Sequence, residues 1–342
     1  MKVLLDSHPT VTQNKSGGLQ VRILAHLKSL QQQNIVCKLF NKWEDKIEDY
    51  DIYHLFKVTK DSYNEVLYAK QKGKKIIVSA VIPIVDERKI KTSLLIESLL
   101  KLFLPHAFIR KILDISDIIT AETNEEKLFI SKNYKIDLEK IVVIPNGVGE
   151  RFLKDDTLDV SFKEFYNIKQ PFVLQVGRID KNKNQISVIK ALKELNIPIV
   201  FIGGAYLNEM EYYEACKKEL GPKMVMTDWI SHESELLLSA FKEAKVLVLP
   251  SIYETFGNVL VEAGVSGANI ACSETLPINE YPISKFWTKF NPLKHQSIKD
   301  AVLKEYNSPC NHEMKEEFIL TFSWETVIRQ YVVIYNRLLT SK

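Results

Sequence analysis

Short runs rich in valine and isoleucine alternate with amphipathic stretches along the whole chain, and the rhythm starts again near its middle. Strands are expected at 3–6, 36–40, 52–56, 75–80, 118–121 and 141–144, then again at 172–176, 199–202, 224–226, 246–249 and 269–271. Helical periodicity falls between several of them, at 19–32, 124–133, 185–195, 209–219, 233–243 and 259–266. A strand followed by an amphipathic helix and another strand is a βαβ unit, and such units in series make a parallel sheet. The predicted class is α/β, with two doubly wound halves joined between 148 and 171. A chain of 342 residues is long for one core, which agrees with two domains.

The bulk properties remove several classes of function. A net charge of +3 is too small to argue for nucleic acid as a partner. Cys37, Cys216, Cys272 and Cys310 are scattered, without CxxC or histidine-linked spacing, so neither a zinc site nor a disulfide framework is expected. No apolar run approaches the roughly 20 residues a membrane span needs. The first predicted strand begins at Val3, which leaves no room for a signal peptide and predicts a soluble cytoplasmic protein.

Neither half carries GxGxxG after its first strand, and GxxxxGK[ST] is absent, so a nicotinamide-binding domain and a P-loop are both disfavoured. The most informative motif is Glu254-Thr255-Phe256-Gly257-Asn258-Val259, running on to Glu262. It follows the apolar run 246–249 and opens a helical pattern, so it straddles a strand–loop–helix junction. In open α/β sheets the carboxyl ends of strands are where ligands bind. Amides at 256–258 would form a helix N-terminus, which favours phosphate. A carboxylate beside it can take ligand hydroxyls.

Arg178 and Lys183 lie after another predicted strand, in Gly177-Arg178-Ile179-Asp180-Lys181-Asn182-Lys183. Two cations in one loop can converge on a diphosphate, arginine bidentately and lysine as a point charge. The bland alternative is a solvated charge run. Trp229, before Ile230, can flank a nucleobase or serve as a core or rim tryptophan. Gly17-Gly18 reads as a ligand-approach turn or a flexible helix cap, and Asn146-Gly147 as a turn facing the presumed cleft. Among the seven histidines, His8 lies in the first strand–helix loop and His54 near the end of the strand at 52–56.

The segment 69–111 carries Lys70, Lys72, Lys74, Lys75, Arg88, Lys89, Lys91, Lys101, Arg110 and Lys111 against Asp86, Glu87 and Glu97, interleaved with leucines and Phe103 and Phe108. A basic, apolar helix of this kind either lies on an anionic membrane or packs in a core with solvated lysines.

Taken together, these residues resemble the retaining glycosyltransferases of the GT-B fold, in the group called family 4 or group 1. The resemblance is carried by Ile144-Pro145-Asn146-Gly147-Val148, Val176-Gly177-Arg178 with Lys183, Leu249-Pro250-Ser251, and Tyr253 through Asn258 to Glu262-Ala263. The tail Phe322-Ser323-Trp324-Glu325 with Tyr335 supports it. It implies two Rossmann-like domains facing each other across a cleft. Residues 1–160 would bind the acceptor, 161–322 the nucleotide-sugar, and 323–342 would form a helix crossing back onto the first domain. Arg178 and Lys183 would bind the donor diphosphate, and Glu262 the ribose hydroxyls. Glu254 and the amides of Phe256 to Val259 would hold the donor sugar and distal phosphate. The acceptor would meet Gly17, Gly18 and neighbouring loops.

The implied reaction moves a sugar from a nucleotide-diphosphate sugar, a UDP-sugar favoured, to a glycan or lipid-linked glycan, with no metal. Peripheral contact with the inner face of the cell membrane through 69–111 would go with such an acceptor. One departure stands out. Many relatives carry a histidine just after the strand that here holds Ile76-Ile77-Val78, whereas this chain reads Ser79-Ala80-Val81-Ile82-Pro83. Either His8 or His54 substitutes, or backbone and diphosphate oxygens handle the acceptor side. The alternative reading is a non-catalytic nucleotide-sugar-binding subunit that activates a partner transferase.

Overall fold

The computed structural model describes residues 1–12, 18–82, 87–100, 104–154 and 157–340. The chain forms two compact units, Met1–Gly147 with Trp324–Lys342, and Val148–Ser323. In the first, strands β1 (Lys2–Ser7), β2 (Val36–Leu39), β3 (Ile52–Phe56), β4 (Lys75–Ser79), β5 (Ile118–Ala121) and β6 (Ile141–Val143) form a sheet in the order β2-β1-β3-β4-β5-β6. In the second, β7 (Val173–Val176), β8 (Ile199–Ile202), β9 (Met224–Thr227), β10 (Val246–Leu249), β11 (Asn269–Ser273) and β12 (Thr288–Phe290) are ordered β12-β11-β10-β7-β8-β9. Every strand pairing is parallel.

The central strands are apolar on both faces because helices cover both. All five residues of β3 and all four of β8 and β10 are buried. The predicted strands are present, and β12 is an addition. Only three residues long and carrying an exposed lysine, it has no periodicity to read; its register comes from pairing Ala271 with Thr288.

The division between units falls at Gly147–Val148, earlier than the expected 160/161. Val148, Phe152 and Phe162 already belong to the apolar core of the second unit. Gly147 lies against the Trp324 indole, where a β-carbon would come within 2.5 Å of the ring. The helix Trp324–Thr340 belongs to the first unit because its apolar face recurs at helical spacing, Trp324, Val327, Ile328, Tyr331, Ile334, Tyr335 and Leu338. Those residues share one core with Val3, Leu5, Ile23, Phe56 and Ile77.

Candidate active site

The strand order of the second sheet fixes where a ligand can enter. From β7 the chain proceeds to β8 and β9 on one side, then returns to place β10 on the other. The loops leaving β7 and β10 therefore diverge at their carboxyl ends and open a crevice between them, the switch point at which open α/β sheets bind ligands. Arg178 and Lys183 lie on the first loop, Glu254 on the second.

Backbone geometry brings the loop after β7 close to its neighbour. Gly177 has φ +148°, a region L side chains rarely adopt, and its N–H donates to Ile202 O at 2.9 Å. A β-carbon on Gly203, at the end of β8, would lie 2.0 Å from Gly177 O, so only glycine permits this approach. The two crevice loops are then tied together. Ile252 N donates to Asn182 O at 2.9 Å, and Asn182 Nδ2 returns a bond to Tyr253 O at 2.9 Å. Asn184 Nδ2 reaches Pro292 O at 2.9 Å, and Gln185 Nε2 reaches Arg178 O at 2.7 Å.

Within that frame the Lys183 ammonium is hydrogen-bonded to Glu254 Oε1, which also accepts from Ser251 Oγ at 2.6 Å. Both charged side chains are about 15% exposed, so the pair is accessible at the crevice but largely shielded from water. Arg178 is more open, with its side chain 48% exposed, 3.3 Å from Asp180 Oδ2 and stacked over the Tyr206 ring at 5.7 Å. A half-exposed guanidinium and a largely shielded ammonium on one loop are a donor set suited to a diphosphate.

Gly257 caps the helix Asn258–Val265 with φ +107°. Phe256, just before it, is buried against Tyr281 and Phe322, which anchors the helix start to the core. Thr255, Asn258 and Val259 are half-buried there. The first-turn backbone thus presents the positive end of the helix at the crevice. Glu262 lies one turn further along, and its Oε1 is 3.1 Å from His232 Nε2.

Trp229 and Ile230 follow β9. Trp229 is 51% exposed, its Nε1 would be 2.4 Å from a β-carbon on Gly204, and Tyr206 lies beside it with ring centroids 6.2 Å apart. Ile230 packs on the apolar core. The motif residues of the second unit are thereby gathered on the loops at one end of one sheet. Sequence reasoning missed Ser251, Asp180, Tyr206 and His232 as members of the group. Ser251 and Asp180 lie inside the quoted motifs, but nothing in spacing marks Tyr206 or His232.

The candidates of the first unit fare differently. His8 is half-buried just beyond β1, and burial lowers its imidazole pKa, with Lys57 adding to the effect. Gly18 opens the helix Gly18–Gln32, while Gly17 lies outside the described residues. Asn146 is buried and its Oδ1 accepts from the adjacent Gly147 N at 3.0 Å, so its side chain is engaged by its own loop backbone. His54 is not a ligand residue. It is completely buried in β3, with Nδ1 2.7 Å from Tyr335 Oη and Nε2 2.9 Å from Ser79 Oγ. Ser79, at the end of β4, is engaged by both His54 and Thr120 inside the unit.

Residues 157–319 match the family model described as glycosyl transferases group 1, and that region is a domain of this kind. A probable sucrose-phosphate synthase of Thermosipho melanesiensis is 28% identical over 245 residues, 65% of this chain and 54% of that protein. An Escherichia coli enzyme named UDP-Gal:alpha-D-GlcNAc-diphosphoundecaprenol alpha-1,3-galactosyltransferase is 26% identical over 180 residues, 46% of this chain and 44% of its own. The chain spans about half the length of the curated relatives it matches. The crystal structure of Anabaena Alr3699/HepE in complex with UDP superposes with a TM-score of 0.75 at 13% identity, covering 98% of this chain and 100% of that one. The fold, two doubly wound α/β units, is that of the GT-B glycosyltransferases.

Proposed function

We propose, from a chain whose residues 157–319 are a group 1 glycosyl transferase domain, that the protein is a retaining glycosyltransferase. It moves a sugar from a nucleotide-diphosphate sugar, with UDP the favoured nucleotide, to a glycan or lipid-linked glycan. The observation that carries this reading is the Lys183–Glu254 pair beside Arg178 at the β7/β10 switch point. Likeness to a structure holding UDP and to an enzyme named for a UDP-sugar and a diphosphoundecaprenol acceptor supports the substrate classes.

The residues divide the work by charge. Arg178 and Lys183, with the N-terminus of the helix Asn258–Val265, take the diphosphate. As the bond between the sugar C1 and the phosphate oxygen breaks, negative charge grows on that oxygen, and preplaced cations stabilise it most. The acceptor oxygen bonds to C1 on the face the phosphate leaves, and its proton passes to a phosphate oxygen, so configuration is retained. Glu254 takes sugar hydroxyls, Glu262 the ribose, and Trp229 the base. Two cations and a helix dipole neutralise the leaving group, so a metal is not required. Turnover of a UDP-sugar panel with product anomers read by NMR tests this. The expected product has the donor's configuration and forms equally in EDTA. Nucleotide binding without turnover of any donor or acceptor would instead favour the non-catalytic subunit.

We also propose a membrane contact on the first unit, carried by the exposed Leu95 and Leu99 one turn apart on the helix Glu87–Leu100 beside Lys91. Ion pairs already engage some of the basic segment, Lys70 with Asp117, Lys72 with Glu48, Lys91 with Glu87 and Arg110 with Glu97. Apolar insertion therefore contributes more than charge. Among the described residues no helix is long and apolar enough to cross a membrane. Co-sedimentation with anionic vesicles should fall on Leu95→Ser with Leu99→Ser; equal sedimentation of both proteins would refute the contact.

A further inference from the structure

Glu262 is held by a histidine that no motif marks. His232 sits in the loop after β9, with Nε2 3.1 Å from Glu262 Oε1 and Nδ1 3.6 Å from Glu233 Oε1. The His232 and Glu262 side chains are both mostly buried. The loop is pinned from the other side by Arg151, whose Nη1 donates to His232 O and whose Nη2 donates to Ser234 O at 2.6 Å. Arg151 also lies 3.8 Å from Glu233 Oε2, and the Phe152 ring rests tilted against the imidazole at 5.8 Å. The charged groups around the ring are thus Glu262 from its helix, Glu233 from its own loop, and Arg151 from the helix Glu150–Leu153.

We propose that His232 is a positioning residue for the nucleotide: it anchors one oxygen of Glu262 so that the other is turned to the ribose, and its protonation makes nucleotide affinity depend on pH. This rests on Glu262 as the ribose acceptor. An unheld glutamate loses rotamer freedom when a ligand orders it, and an imidazole bond made beforehand removes that loss. An imidazolium makes the Nε2 bond to Glu262 charge-assisted and places its second N–H 3.6 Å from the Glu233 carboxylate; a neutral ring holds Glu262 by an uncharged bond at most. The hydrogen bond to Glu262 is the largest influence raising the His232 pKa, while burial and Arg151 oppose it. The carboxylate is therefore best held below that raised pKa, and its hold weakens as pH rises through it.

Calorimetric titration of UDP and of 2′-deoxy-UDP from pH 6 to 9 tests this with wild type, His232→Ala and His232→Gln. At pH 6.5 His232→Ala should bind UDP about three- to tenfold more weakly, as for loss of a charge-assisted hydrogen bond. The deficit should shrink for 2′-deoxy-UDP, which lacks one hydroxyl that Glu262 would accept. His232→Gln keeps an N–H for Glu262 but does not titrate, so the ratio of wild-type to His232→Gln affinity should fall with rising pH while the nucleotide's own titration cancels. Equal affinity of wild type and His232→Ala at every pH would overturn the proposal, as would equal losses for the two nucleotides or a flat ratio to His232→Gln. In those cases the donor site would stand. A wild type that binds none of UDP, GDP and ADP would overturn both.

Discussion

The two units each contain a polar cluster with histidine, and the clusters are built in opposite ways. In the first, Arg22, His26, His54, Ser79, Glu122, Tyr331 and Tyr335 form a connected hydrogen-bond group inside the protein, with Ser79 linking His54 to Tyr331. The Arg22 guanidinium pairs with Glu122, and both are buried. Burial drives the imidazoles of His26 and His54 well below their usual pKa, so both stay neutral, and it pushes the nearby Glu126 carboxyl up to about 8. In the second, Lys183, Glu254, His232 and Glu262 keep part of their surface open, and His232 moves the other way, toward charge. The sealed cluster joins the helix Trp324–Thr340 to the sheet of its unit; the open one leaves its charges available to a ligand. Polar residues inside a protein become structural when their partners are all internal.

The largest effect that would sharpen this contrast lies in the sealed cluster. Arg22→Met leaves Glu122 buried without its cation, at a cost of about 3–5 kcal/mol by the usual penalty for breaking a buried ion pair. Chemical denaturation should show the loss, while UDP affinity of the folded variant stays unchanged. A weakened nucleotide affinity would show that the contrast is drawn in the wrong place. Gly147→Ala comes next. Its methyl group meets the Trp324 ring, and overpacking of this kind costs about 1–3 kcal/mol. An unchanged melting temperature would mean the last helix is held more loosely than its packing implies.

The smallest effect is read by NMR titration of the histidines. His26 and His54 should stay neutral well below pH 6.5, and His232 should titrate above it. A lowered pKa means that the unfolded chain binds protons more readily. The stabilisation from neutral His26 and His54 is therefore complete above pH 6.5 and lost as pH falls through their folded values. The His232 contribution is complete below 6.5 and lost as pH rises through its raised value. Three histidines with a common pKa would erase the distinction.

How much of this was legible in the sequence follows from the range of the forces involved. The two sheets were readable because strands buried on both faces are runs of aliphatic residues, as in Ile199–Ile202 and Val246–Leu249. Gly177, Lys183, Glu254 and Gly257 were readable because loop backbone and charge are local to their motifs. His54 misled because a histidine in an apolar strand has the same sequence signature whether it meets a ligand or a buried tyrosine. Its partner Tyr335 lies in the last helix, and only the fold brings them to 2.7 Å. His232 was silent for the same reason, since its partner Glu262 belongs to a different strand–helix unit. The unit boundary depended on Phe152 and Phe162 choosing a core, which no linker composition announces.

The most direct measurement on the open cluster is calorimetric titration of UDP into wild type, Lys183→Ala and Glu262→Ala. The account predicts saturable binding to wild type, with affinity lowered at least about tenfold in each variant, as for a lost charge-assisted contact to ligand. Affinity unchanged in both variants would contradict the placement of the donor at the β7/β10 switch point.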